Sequence, residues 1–199
     1  DSSYDDSWMS RGFNVVSFAP NANTVLSNGL FDTYISSAQS GLMLNYLQGL
    51  GDGSLIAIIS YDAIDSWIPS IENFSPALKS YLGTAFGATL AASVGWRDSY
   101  VLIGVKGAAS PLVEQTSASI AGAVLAPFDF ASCPTYSPSV SPAPSSPPAP
   151  TLAPTLAPTT PEFNRCGLEL AATSAGFNDG DSASLTVAFS GVDSSYDDS

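Results

Sequence analysis

The chain has 199 residues, 45% hydrophobic and 11% aromatic, which is enough apolar material for a packed domain and excludes wholesale disorder. Eighteen acidic against five basic side chains leave a formal net charge of -13, which repels phosphate backbones and anionic lipid and excludes both as partners. There is no histidine, so catalytic triads and zinc sites lose their usual proton carrier or ligand, and no metal or cofactor is expected.

In chain order, the first feature is DSSYDDS at residues 1–7, which returns unchanged at residues 193–199, an offset of 193 − 1 = 192. Self-similarity at a fixed separation marks an array. A period of 192 residues, with identical units head to tail as partners, is the simplest reading. A short acidic terminal tag is the alternative. Asp1 begins in mid-sequence with no signal peptide, so a mature or excised piece is expected, and no apolar run approaches the roughly 18 residues of a membrane span.

Residues 12–18 (GFNVVSF), 54–60 (SLIAIIS) and 99–105 (SYVLIGV) predict strands from their β-branched content and turn-rich flanks. The second follows Gly51, Asp52 and Gly53, a turn that needs positive φ. Residues 36–50 place Leu42, Met43, Leu44, Tyr46, Leu47 and Leu50 at helical spacing. A second helix over 75–92 opens with Ser75 as N-cap and Pro76 at the first helical position. Just before it, Asn73, Phe74 and Ser75 form an N-glycosylation sequon, which Pro76 disfavours.

Between Cys133 and Glu162 no side chain is charged, and ten of the fifteen prolines fall in this stretch, with Thr-Leu-Ala-Pro repeated at 151–154 and 155–158. Proline lacks the amide donor and fixes φ, so residues 134–162 are expected as a polyproline II stalk spanning about 90 Å at about 3.1 Å per residue. The composition is that of O-glycosylated or hydroxyproline-glycosylated chains. Candidate serine and threonine acceptors are Ser137, Ser141, Thr151, Thr155, Thr159 and Thr160. Candidate prolines are Pro138, Pro142, Pro144 and Pro147, then Pro148, Pro150, Pro154 and Pro158. Cys133 and Cys166 bracket the stalk and read as a structural disulfide of an oxidising compartment, within one unit or between consecutive units. Beyond it, 168–174 and 183–190 predict two strands across a turn at Asn178, Asp179, Gly180 and Asp181, a segment without the ligand spacing of a calcium loop. A hairpin alone is marginal in water and must pack on something.

The ordered pieces RGFN (11–14), FDTY (31–34), GSL (53–55), SYD (60–62), LG (82–83), WRDSYVLIGVKG (96–107) and EQ (114–115), closed by Cys133, carry a resemblance. With them the run from Arg11 to Cys133 resembles the ILEI/PANDER-like domain of secreted cytokine-like proteins. The same domain forms the stem of a protein O-mannose N-acetylglucosaminyltransferase. The resemblance implies secretion, no catalytic activity, and two β-sheets with packed helices. It also implies sugar contacts at Arg11, Asp62 and Arg97, against the alternative that Arg97 with Asp62 or Asp32 is a structural ion pair. In the family a Cys-Gly segment and one or two strands precede RGxN; here Cys166, Gly167 and the hairpin stand after the stalk instead.

The expected class is therefore α+β, mainly β, with two packed sheets and flanking helices, a stalk, and a C-terminal hairpin that completes a neighbouring domain. Its parts are a globular domain at 1–133, the stalk at 134–162, and strands with an acidic connector at 163–199 belonging to the next repeat. The expected function is a repeat unit of an extracellular glycoprotein fibre linked by strand donation. Its rivals are a carbohydrate-binding module on a glycosylated stalk and a secreted cytokine-like signalling domain.

Overall fold

The structure, a computed structural model, describes residues 2–4, 10–20, 25–117, 123–124, 128–129, 168–174 and 184–189. The stalk, both cysteines and the turn at 178–181 lie outside the described residues. The elements begin with β1 (Ser2–Tyr4), β2 (Gly12–Phe18), β3 (Val25–Phe31), α1 (Ser37–Gly49) and β4 (Leu55–Tyr61). They continue with α2 (Pro76–Phe86), β5 (Ser99–Val105), β6 (Val113–Ser117), β7 (Ala123–Val124) and β8 (Phe128–Asp129). The hairpin strands are β9 (Leu168–Ser174) and β10 (Ser184–Phe189).

The three predicted strands β2, β4 and β5 form the centre of a five-stranded antiparallel sheet in the order β3-β2-β4-β5-β6. Every residue of β2 and β5 is buried, so both faces of the sheet are covered. On one face Phe13, Val15, Ile56, Ile58, Tyr100 and Leu102 pack against α1 and α2. Helix α1 contributes Met43 and Leu47, and α2 contributes Leu78, Leu82 and Phe86, successive residues in each helix being four apart. The other face carries Val16, Phe18, Leu55, Ala57, Ile59, Val101, Ile103 and Val105, each no more than 1% exposed.

A second sheet, ordered β1-β10-β9-β7 with β8 also pairing β9, lies on that other face, with β9 against β4 and β5. The hairpin thus packs as its apolar content requires. Within the chain β9 and β10 pair with each other and with β1, β7 and β8, and it is β9 that lies against the first sheet. The first sheet's second face must be covered, since leaving a Val, Leu, Ile or Phe exposed costs about 1.5–3 kcal/mol per side chain.

Two expectations need correction. The helix predicted over 75–92 starts as expected, Ser75 Oγ accepting from Leu78 N, but stops at Phe86. Gly87 at φ +70° turns the chain out, and only Ala91–Ser93 resumes as a single 3₁₀ turn. Strand β3, absent from the sequence reading, pairs with β2 at the sheet edge. It turns Leu26 (51% exposed) and Leu30 (45%) outward and Ser27 inward, where Ser17 Oγ, Ser27 Oγ and Tyr46 Oη share hydrogen bonds. Gly53 takes the positive φ (81°) expected of the turn before β4.

Candidate functional site

Antiparallel order brings four motif pieces to one end of the first sheet. Arg11 precedes the start of β2, Asp32 follows the end of β3, Asp62 follows the end of β4, and Arg97 lies just ahead of β5. Each piece supplies its own positioning groups. Asn14 accepts from Ser10 N and donates to Ser10 O, both at 2.8 Å, which pins the backbone ahead of Arg11. Thr33 Oγ1 donates to Ile64 O at 2.7 Å, and Ile64 N donates to Trp96 O at 2.9 Å, so the FDTY, SYD and WRD segments are laced together. Asp98 Oδ2 accepts from Gly95 N, and Ser60 Oγ accepts from Tyr100 N, setting the turn before β5.

The site consists of two arginine–carboxylate pairs, each on an aromatic platform. Arg11 donates from Nε to Asp32 Oδ1 (3.0 Å) and from Nη2 to Asp32 Oδ2 (2.6 Å), a bidentate fork. Its guanidinium lies 4.5 Å from the Tyr34 ring centroid. Hydrogen bonding to Asp32 outweighs desolvation and raises the Arg11 pKa above its ordinary value, with Asp62 adding to the negative field. Arg97 Nε stands 3.5 Å from Asp62 Oδ1, and its guanidinium lies 4.6 Å from the Trp96 ring centroid. Asp62 holds a left-handed φ of +55°, a conformation that side chains other than glycine adopt at a cost.

Of the predicted set, Arg11, Asp62 and Arg97 therefore meet at one sheet end. Their pairing is more specific than the sequence allowed: Asp62 serves Arg97, while Asp32 serves Arg11. The Arg97 side chain remains 26% exposed, so the pair is half-buried rather than sunk in the core. Tyr34 and Trp96 are the stacking aromatics, and Tyr34 was not singled out for that role. The signal available for it was its place in FDTY, two residues after the carboxylate that Arg11 grips.

Tyr34 also lines a neighbouring cleft of about 370 Å³, with Ile35, Ser36, Ser37, Ser66, Trp67, Ile71 and Asn73. Trp67 is 63% exposed at its rim. Asn73, the sequon asparagine, is only 9% exposed, and its Nδ2 donates to Tyr34 O at 2.6 Å. The atom that would carry a glycan is thus hydrogen-bonded within the fold. Asp65 Oδ1 accepts from Ser66, Asn73 and Phe74 backbone amides and closes the loop behind the cleft.

The remaining motif pieces are structural. Lys106 Nζ donates to Leu47 O, Gln48 O and Leu50 O, satisfying the carbonyls at the C-terminal end of α1. Glu114 accepts from the Thr89, Leu90 and Ala91 amides and from Tyr100 Oη.

The chain matches the profile described as "Interleukin-like EMT inducer" over residues 11–108, the span that contains every residue of this site. Protein FAM3D of Mus musculus is 31% identical over 98 residues, covering 49% of this chain and 40% of that protein. The match therefore spans well under two thirds of that relative's length. Residues 11–108, just under half of the chain, are thus an ILEI-like domain.

Proposed function

We propose that this chain is a secreted, non-enzymatic recognition domain of the cytokine-like kind, with the arginine-bearing end of the first sheet as its contact surface. The observation that carries the reading is that family motif pieces scattered from residue 11 to residue 98 converge on one partly exposed cluster. Half-exposed guanidinium–carboxylate pairs on Tyr34 and Trp96 offer fixed donors, acceptors and ring faces, which suits a ligand rich in hydroxyls such as a surface glycan. Binding of the purified chain to a glycan array and to cell surfaces tests this. Arg97→Ala and Arg11→Ala should each weaken binding at least tenfold while circular dichroism reports an intact fold. Undiminished binding by both variants would remove the site.

A second reading, the repeat unit of an extracellular glycoprotein fibre, is favoured by the identical termini at 1–7 and 193–199 and by the proline-rich stretch between them. In it, glycans on the serines, threonines and prolines of 134–162 stiffen the stalk, and a Cys133–Cys166 bridge, within or between units, secures the hairpin. Intact mass after deglycosylation and sedimentation velocity decide it. A single unmodified mass and a monodisperse monomer would dismiss it.

A further inference from the structure

The three residues of β1 pair with β10 in a register of constant sum: Ser2 faces Val187, Ser3 faces Thr186, and Tyr4 faces Leu185. Strand β1 is the edge of its sheet, and the backbone groups along that side of β10 have this segment as their ladder partner. The same Ser-Ser-Tyr recurs at 194–196, inside the identical DSSYDDS at 193–199. Adding the offset of 192 to the register places Ser194 opposite Val187, Ser195 opposite Thr186 and Tyr196 opposite Leu185. Each of these pairs sums to 381. Continuing the ladder towards its closed end sets Val192 opposite Phe189, since 192 + 189 = 381, and leaves only Ser190 and Gly191 between the strands.

A two-residue connection is the commonest loop of an antiparallel hairpin, and Ser-Gly is a turn dipeptide. The coincidence is demanding. An offset of one residue would have left a different loop length and turned every side chain of the segment to the opposite face. The spacing of the C-terminal copy would let it take the same register through a two-residue connection.

We propose that the outer edge of β10 is a binding site for one DSSYDDS segment, and that residues 194–196 of the same chain fill it through a Ser190–Gly191 turn, displacing residues 2–4. Both copies are tethered close to the site. Residues 5–11 join the segment 2–4 to β2, whereas residues 190–193 join the segment 194–196 to β10, and the shorter closure carries the smaller entropic cost. Released residues 1–7 then form the connector into the first sheet. In a head-to-tail repeat the two copies become one segment that ends the hairpin of one unit and begins the sheet of the next, a consequence that rests on the repeat-unit reading. The occupancy of the edge does not.

Paired cysteines at facing positions test the proposal in the full chain, because directly opposed residues of an antiparallel pair lie within disulfide reach. Ser195→Cys with Thr186→Cys is oxidised mildly, and the bridge is located by non-reducing peptide mass spectrometry, which separates it from Cys133 and Cys166. Ser3→Cys with Thr186→Cys reports the N-terminal copy in parallel. The expected result is a 195–186 bridge within one chain, with a yield that rises when residues 1–7 are deleted and falls with Gly191→Val. A free thiol at 195 in both the full chain and the deletion, beside a closed 3–186 bridge, would overturn it. So would a 195–186 bridge found only between chains. A bridged monomer would uphold this inference while counting against assembly, so the two failures are distinguishable.

Discussion

Replacing Glu114 by glutamine keeps the shape of the side chain and removes its charge, which makes it a clean test of how the loop after α2 is held. The carboxylate accepts five hydrogen bonds. Oε1 takes Leu90 N (2.9 Å), Ala91 N (3.1 Å) and Tyr100 Oη (2.7 Å), and Oε2 takes Thr89 N (2.7 Å) and Thr89 Oγ1 (3.2 Å). Glutamine has one oxygen, so the donors facing its amide nitrogen lose their acceptor. Tyr100 is fully buried, whereas Thr89 is open to water. A hydrogen bond to a charged group contributes about 1.5–3 kcal/mol. Allowing for hydration at Thr89, the net loss is about 2–3 kcal/mol, a fall in Tm of about 4–12 °C at about 2–4 °C per kcal/mol. The change also has a pH signature. Burial alone would raise the Glu114 carboxyl, but the bonds from Thr89, Tyr100, Leu90 and Ala91 outweigh it and hold the pKa below its ordinary value. The stabilisation is therefore present above the unfolded carboxylate value of about 4.3 and is lost as pH falls through the lower folded value. Burial, then Glu114, push the Tyr100 pKa far upward, so that pair loses stability as pH rises past the ordinary tyrosine range. Urea unfolding of both proteins from pH 7 down to pH 3 measures the effect. Equal midpoints at pH 7, or parallel acid limbs, would refute the account.

Gly12→Ala should leave no soluble folded protein, because Gly12 sits at φ +99° and a Cβ there would stand 2.1 Å from Phe31 O; near-wild-type circular dichroism would contradict this. Asn73→Gln, expressed in a glycosylating host, should leave the intact mass without any loss of N-glycan while lowering Tm by a few degrees, through loss of the bond to Tyr34 O. Lys106→Ala should cost about 1–2 kcal/mol by leaving the Leu47, Gln48 and Leu50 carbonyls without their cation, read as a shift in urea midpoint with unchanged slope.

Strands β2, β4 and β5 were legible in the sequence because burial on both faces writes a continuous apolar run, and α1 because Met43 and Leu47 repeat at the pitch of a buried helical stripe. The start of α2 was legible from Ser75 and Pro76. Its end was not, because what halts it is the αL conformation of Gly87, packed so tightly that a Cβ would stand 2.4 Å from Ala109 O. Strand β3 escaped notice because at a sheet edge Leu26 and Leu30 can face solvent while Ser27 is satisfied inside by Ser17 and Tyr46, which inverts the usual alternation. The candidate residues Arg11, Asp62 and Arg97 were named from motif positions, and the order of those motifs along the chain already implied a shared location. Which carboxylate meets which arginine was settled only when the β3-β2-β4-β5 order set Asp32 beside Arg11 and Asp62 beside Arg97, since ion-pair geometry depends on neighbours across strands rather than along them. The terminal repeat was visible from the letters alone. That its first copy lies along β10, in a register its second copy can match through two residues, is a property of backbone pairing, and no reading of single segments contains it.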